Sequence, residues 1–112
     1  MRALLASLLV ALCASSPGSA ADAVRGEALY NSRCIACHSP DANRVGPKHR
    51  GVVGRTAGTV PDFNYSSAVR NARVVWDEHT LDRWLADPKT FIPGQRMNVK
   101  VPDPVDRADL IA

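Results

Sequence analysis

Residues 34–38 read Cys-Ile-Ala-Cys-His, so two thiols stand three positions apart and an imidazole directly follows the second thiol. Thiolates and imidazoles bind metal ions, and a pair of thiols can also exchange electrons as a disulfide. Four kinds of chemistry use this spacing: a disulfide, a redox-active dithiol, a zinc site and the covalent attachment of haem.

The surrounding sequence favours haem attachment over the other three. A disulfide across two residues would constrain little of the chain, and a structural zinc ion needs four ligands where this segment offers three. A thioredoxin-like pair lies in an alternating strand and helix pattern, which is not evident here. Each thiol of a Cys-x-x-Cys-His motif can instead bond one vinyl group of a haem, while the histidine coordinates iron. The three other uses remain alternatives.

Iron held by His38 has a second axial position, which predicts a second ligand. Met97 is the only methionine after Met1, and it follows a turn signal at Pro93-Gly94. A methionine on a rigid loop suits a His/Met pair of axial ligands, although a methionine can also simply fill a gap in the core. The competing ligands are His49 and His79, both of which we expect at the surface.

The N-terminal segment has the features of a secretory signal peptide. A positive start is followed by an apolar run over residues 3–14 and by small residues that predict cleavage after Ala20. The run is shorter than the roughly 20 residues of a membrane span, so we expect export to the periplasm without stable membrane insertion. Cys13 would leave with this segment. The domain is then expected to occupy residues 21–112.

Capping residues and apolar spacing predict four helices that position these groups. The helices are expected at residues 23–33, 66–71, 77–86 and 104–112, with the last docking through Leu110 and Val105. The long loop over residues 39–64 is expected to wrap one edge of the haem. A net charge of +3 without a basic run that carries interleaved aromatics argues against binding to nucleic acid.

A further series of residues accompanies the motif along the chain. In chain order they are Gly26, Tyr30, Val45-Gly46-Pro47, Gly51-Val52-Val53-Gly54-Arg55, Tyr65, Trp76, Leu81, Trp84-Leu85, Pro88, Ile92-Pro93-Gly94-Gln95-Arg96-Met97 and Arg107-Ala108-Asp109-Leu110-Ile111-Ala112. With these residues the chain resembles the class I cytochromes c over nearly all of residues 22–112. The resemblance implies an all-α fold of helices and loops wrapped around one covalently bound haem c.

The resemblance also implies a role for each site residue. Cys34 and Cys37 would form the thioether bonds, and His38 and Met97 would be the axial ligands of the iron. The Pro47 carbonyl would accept a hydrogen bond from the His38 ring, Arg55, Tyr65 and Trp76 would contact the haem propionates, and Trp84 would stand near the Met97 sulfur.

The implied function is that of a soluble, exported, monomeric protein that carries single electrons between a donor and an acceptor redox protein and is not an enzyme. Contact with partners is expected at the haem edge near Cys34 and Cys37. Two alternatives remain open: an open-site haem protein acting as a small-ligand sensor or a peroxidase, and an electron-relay subunit of a periplasmic enzyme.

Three features depart from the resemblance. Val69 stands where many relatives have an asparagine, and His49 replaces a residue that is usually apolar. The last helix of the family continues beyond the position of Ala112, so the last helix is expected to be truncated and the domain less stable.

Overall fold

The computed structural model describes residues 20–112, which form helices joined by loops. The helices are α1 (Ala23–Arg33), α2 (Ser67–Arg70), α3 (Glu78–Ala86), α4 (Pro88–Phe91) and α5 (Pro104–Ile111). Within these residues the only strand-like feature is an isolated bridge between Thr56 and Val75, so the predicted all-α class is confirmed. The predicted signal peptide and Cys13 lie outside the described residues, apart from Ala20 at the predicted cleavage site.

Short polar side chains set the starts of the helices because they accept backbone N–H groups that have no partner within the helix. Asp22 accepts the N–H of Arg25, and α1 spans the predicted residues. Asp77 and Thr80 form a reciprocal capping box at α3. Each predicted helix therefore agrees with the structure to within a residue at either end.

Helix α4 was missed because the Asp87-Pro88 pair predicted only the end of α3. Asp87 does end α3, yet its side chain also caps α4 by accepting the N–H of Thr90. Pro88 stands at the first position of α4, where its missing N–H costs nothing. The proline side chain is fully buried.

Helices α1 and α5 touch backbone to backbone at Gly26. A Cβ atom at this position would lie 1.8 Å from the carbonyl oxygen of Asp109, so only glycine allows the approach. Asp109 also accepts the N–H of Asp22 at 2.8 Å and the Arg25 guanidinium at 2.7 Å. The close approach is thus reinforced by polar contacts at the same end of the helix pair.

The side chains that α5 buries against α1 are acidic. Asp106 and Asp109 are only 6% and 4% exposed, and Asp106 accepts hydrogen bonds from both Arg25 and Arg33. Leu110 is half-buried as expected, but the expected docking of Val105 is wrong, since it is 60% exposed. Charge-assisted hydrogen bonds take the place of the expected aliphatic contact.

The apolar core lies between the loop at residues 52–57 and the helices α2, α3 and α4. Ala57, Trp76 and Ile92 are its buried members. The half-buried side chains around them are those of Val52, Ala68, Val69, Ala72, Val74, Leu81, Trp84 and Phe91. No helix within residues 20–112 is long and apolar enough to cross a membrane.

The contact at Gly26 predicts a large effect of a single methyl group. We expect Gly26→Ala to lower the free energy of unfolding by about 3 kcal/mol, the upper end of overpacking costs, because the obstructing atom belongs to the backbone. Chemical denaturation of the haem-loaded protein measures the loss. Glu27→Ala, at an exposed neighbour on the same helix, is the control and should change stability little. Equal stability of Gly26→Ala and wild type would contradict the close approach.

The acidic face of α5 predicts acid sensitivity. The hydrogen bond from Arg25 lowers the pKa of Asp106 below its usual 3.8, and the Asp22 N–H with Arg25 does the same for the pKa of Asp109. The two carboxylates therefore bind protons more readily in the unfolded chain than in the folded protein. Their contribution to the free energy of unfolding is complete at a pH above their pKa in the unfolded chain, and it is lost as the pH falls from there through their lower pKa in the folded protein.

Melting temperatures measured between pH 7 and pH 3 test this. Asp106→Asn should melt lower than wild type at pH 7 and should lose less stability between pH 5 and pH 3. Glu27→Gln, on the exposed side of α1, should follow the wild-type curve. Parallel curves for Asp106→Asn and wild type would show that Asp106 does not contribute.

Candidate functional site

The Cys-Ile-Ala-Cys-His motif continues directly from α1. Cys34 caps the C-terminus of the helix, and its N–H donates to the carbonyl of Tyr30 at 2.9 Å. The N–H groups of Cys37 and His38 both donate to the Cys34 carbonyl, at 3.1 and 2.9 Å. The motif is therefore a tight turn whose position is set by the position of α1.

Arg44 stabilises this turn, a role that was not predicted from the sequence. Its guanidinium donates to the carbonyl groups of Ile35, Ala36 and His38. The only signal in the sequence was a cation shortly after a helix end, where backbone carbonyls lack partners. The N–H of Gly46 adds a further bond, to the Cys37 carbonyl at 2.9 Å.

The His38 ring is buried and held in one orientation. Its Nδ1 donates to the Pro47 carbonyl at 2.9 Å, and because a carbonyl can only accept, the proton must lie on Nδ1. Nε2 then carries the free electron pair and is available to a metal. Burial is the main cause that lowers the pKa of His38, which favours this neutral, ligating form.

His49 is not at the surface, and that prediction was wrong. Its ring is half-buried and stacks on the His38 ring, with centroids 4.0 Å apart and an angle of 22° between the planes. A hydrogen bond of 2.9 Å joins its Nδ1 to the Tyr30 hydroxyl. Burial, together with the nearby His38 and Arg55, lowers the pKa of His49 to about 4, so the ring is neutral at pH 7. His79 is exposed, as expected.

The two thiols are free, with Cys34 half-buried and Cys37 exposed. Burial raises the pKa of Cys34. Residues 20–112 contain no group of three or more Cys, His, Asp or Glu side chains that converge as a metal site, and the motif follows a helix rather than a strand. The geometry therefore does not support the disulfide, the zinc site or the thioredoxin-like pair.

Met97 is half-buried in a turn that Gln95 organises. The buried amide oxygen of Gln95 accepts the N–H of Met97 at 2.6 Å and that of Asn98 at 3.0 Å, while its nitrogen donates to the Asn98 side chain. Gly94 provides the left-handed conformation (φ 91°) at the tip of the turn. The sequence predicted no contact for Gln95 beyond its place in the resemblance, because residues in a turn follow no periodic pattern that would indicate their partners.

Trp76 and Trp84 lie together, with ring centroids 5.5 Å apart. The backbone N–H of Trp76 donates to the Arg55 carbonyl at 2.9 Å, and the Arg55 guanidinium donates to the Lys48 and Arg50 carbonyls at 2.8 and 2.5 Å. Arg55 thus connects the tryptophan pair to the segment that follows Pro47.

Tyr65 packs edge-on against Phe63, and its hydroxyl accepts the Val60 N–H at 3.1 Å. In the described part of the chain, Tyr65 and Met97 make no hydrogen bond to His38 or to the tryptophan pair. Of the predicted site residues, hydrogen bonds and ring packing thus join His38 to Pro47 and Arg55 to the tryptophan pair.

This donor set fits haem. His38 offers Nε2 because Nδ1 is committed to Pro47, two unpaired thiols lie in the same turn, and Met97 offers a thioether. Indole rings and aliphatic side chains supply the apolar surroundings that a porphyrin requires.

Comparison with known proteins agrees with this fit. The family model for cytochrome c matches residues 23–112. The chain is 45% identical to "Cytochrome c 2.1" of Caenorhabditis elegans, covering 82% of this chain and 86% of the relative. It is also 45% identical to "Cytochrome c2" of Rhodomicrobium vannielii, covering 88% and 81%.

Among solved structures, cytochrome cH from Methylobacterium extorquens superimposes with a TM-score of 0.77 and 39% identity, covering 80% of this chain and 93% of that one. The expected class I cytochrome c fold is thereby confirmed.

The packing around His38 predicts that Gly46 cannot carry a side chain. A Cβ atom there would lie 2.1 Å from Cε1 of His38 and would push the ring away from the Pro47 carbonyl. We expect Gly46→Ala to cost about 1–3 kcal/mol of unfolding free energy, as measured by denaturation of the haem-loaded protein. Val45→Ala, next to it and 76% exposed, should be close to neutral. A Gly46→Ala protein as stable as Val45→Ala would count against the packing described here.

Proposed function

The chain belongs to the cytochrome c family, whose members carry single electrons on one covalently bound haem c, and on this premise we propose how its own residues hold that group. The protein is an electron carrier rather than an enzyme. The single observation that carries the proposal is the bond from His38 Nδ1 to the Pro47 carbonyl, which leaves Nε2 free beside two unpaired thiols.

Cys34 and Cys37 would hold the haem through thioether bonds, and His38 would bind its iron through Nε2. The thiols and the imidazole share one hydrogen-bonded turn, so all three groups lie on the same short segment of the chain. The Pro47 carbonyl increases the electron density that the imidazole donates and prevents the ring from rotating, as outer partners of metal-bound histidines do.

Met97 would bind the iron through its sulfur. The supporting observation is the Gln95 amide oxygen, which accepts the backbone N–H groups of both Met97 and Asn98. These two bonds fix the backbone at Met97 and so restrict where its side chain can lie. When bound, the haem supplies one-electron chemistry by cycling between Fe(III) and Fe(II). A thioether ligand and an apolar pocket both favour the reduced state.

Arg55, Tyr65 and Trp76 would contact the haem propionates, and Trp84 would stand near the Met97 sulfur. The Tyr65 oxygen accepts the Val60 N–H, so its own proton is free to be donated to a carboxylate. The indole of Trp76 is likewise a donor only. Carbonyl groups fix the Arg55 guanidinium, which supports a role in placing positive charge at a set position rather than on a mobile side chain.

The protein transfers electrons to and from redox proteins, as the family does. We place this contact at the surface around the motif, where Ile35, Ala36 and Cys37 are exposed. We expect some of the basic side chains of Arg33, Lys48, Lys89, Arg96 and Lys100 to ring this contact; Lys48 is half-buried and the rest are exposed. Contacts of this kind with an acidic partner are weak and depend on salt.

Export to the periplasm and action as a monomer complete the proposal. Residues 1–20 carry the signal, which is supported by their charge, apolar run and small residues alone. The alternatives of an open haem site and of a relay subunit are not favoured. The relatives are electron carriers, and the Gln95 amide holds the turn that carries Met97.

The ligand assignment predicts two spectroscopic results. Haem in the mature protein should resist acid-acetone extraction, and the ferric protein should show a weak far-red band from sulfur coordinated to iron. Met97→Ala should keep the covalent haem and lose the band, because alanine has no sulfur.

Val99→Ala, two residues on and exposed, is the matched control and should keep both features. A far-red band that survives in Met97→Ala would exclude Met97 as the ligand. Extractable haem in the wild type would exclude thioether bonds to Cys34 and Cys37.

A further inference from the structure

His38 is contacted at three places, and each contact restricts a different motion of the ring. The Pro47 carbonyl fixes the position of Nδ1 within the ring plane. The Gly46 backbone lies close to Cε1, leaving no room for even a methyl group. The ring of His49 covers a face.

The stacking of His49 on the face of His38 restricts rocking of the ring, which the hydrogen bond to the Pro47 carbonyl does not. Carbonyl oxygens accept over a broad range of directions, so the bond to Pro47 tolerates rocking of the ring about Nδ1. A flat ring 4.0 Å away over the face resists that rocking, since any tilt drives atoms of one ring into the other. Contacts between two rings at such separations are worth more than the area they bury.

His49 is itself held in place. Its Nδ1 bonds to the Tyr30 hydroxyl, and Tyr30 belongs to α1 one turn before the motif. Helix α1 is rigid through its contact with α5 at Gly26. A continuous set of contacts therefore runs from the helix pair through Tyr30 and His49 to the face of His38.

We propose that His49 is a positioning residue that fixes the plane of the His38 ligand, and that Tyr30 acts on the ligand through His49. The proposal rests on the role of His38 as an axial ligand. An aliphatic side chain at position 49 could fill the same space, but it would present neither a flat face nor a hydrogen-bonding partner for Tyr30. The orientation of the imidazole plane governs how it overlaps with the iron orbitals, so the consequence is electronic as well as structural.

The test compares four variants of the haem-loaded protein: His49→Leu, Tyr30→Phe, the double variant and His79→Leu. The last removes an exposed histidine on α3 and is the matched control. Two readouts are used. The first is hydrogen–deuterium exchange of the His38 Nδ1–H in the ferrous protein, followed by NMR. The second is the electron paramagnetic resonance spectrum of the ferric protein, which reports the ligand plane.

We expect Nδ1–H exchange to be roughly three- to tenfold faster in His49→Leu, as the loss of a ring pair implies, and the ferric resonance to shift and broaden. Tyr30→Phe should change both readouts in the same direction but less, because the two rings remain. The double variant should match His49→Leu, since Tyr30 has no effect once His49 is gone. His79→Leu should match wild type.

Two results would overturn the proposal while leaving the proposed function intact. One is unchanged exchange and resonance in His49→Leu, even if it melts at a lower temperature, which would reduce His49 to packing. The other is additive effects of the two single changes in the double variant. If His49→Leu does not fold, Tyr30→Phe decides alone, and wild-type values in that variant would overturn the role given to Tyr30. Failure of the proposed function would show differently, as a wild type without a nitrogen ligand on its iron.

Discussion

The backbone contact between Gly26 and Asp109 fixes the position of helix α1 and, through it, of the motif turn. Helix α1 runs without interruption into the motif turn, so whatever fixes α1 also fixes the thiols and the imidazole. Glycine is required because the two helices approach too closely for any Cβ atom. The carboxylates of Asp106 and Asp109 then hold α1 through Arg25. The thiols and the imidazole of the motif are therefore positioned by α5, which lies far from them in sequence.

Around the site, much of the ordering is done by hydrogen bonds to main-chain groups rather than by apolar packing. Arg44 binds the carbonyls of the motif turn, Arg55 binds those of Lys48 and Arg50, and the Gln95 amide binds the N–H groups of its own turn. Long irregular segments leave many backbone groups without partners, and buried groups of that kind are costly. Charged and amide side chains satisfy them and make loops rigid enough to hold a ligand.

What could be predicted from the sequence depended on neighbours along the chain. The motif chemistry follows from spacing, and the bounds of α1 follow from Asp22 as its cap and from the apolar spacing. Asp87-Pro88 was predicted as an end of α3 and was also the start of α4, since the same aspartate can serve both helices. The residue-by-residue roles in the pocket came from the resemblance and remain proposals.

The failures concern contacts across the chain. His49 is flanked by Lys48 and Arg50, which predicted a surface position, yet its environment is set by Tyr30 and His38. Val105 looked like the apolar anchor of α5, whereas the buried face is acidic because Arg25 and Arg33 lie opposite. Charged residues nearby in the sequence indicate a solvent-exposed position only when no side chain from a distant segment packs against it.

The separation of these contacts along the chain has a consequence for how the protein folds. His38 meets Pro47 across 9 residues, while Arg25 meets Asp109 across 84. Loop-closure entropy grows with the logarithm of length, so the second closure costs about 2 kcal/mol more. The contact between α1 and α5 therefore carries the larger entropy cost of closure, and long-range contacts of this kind slow folding.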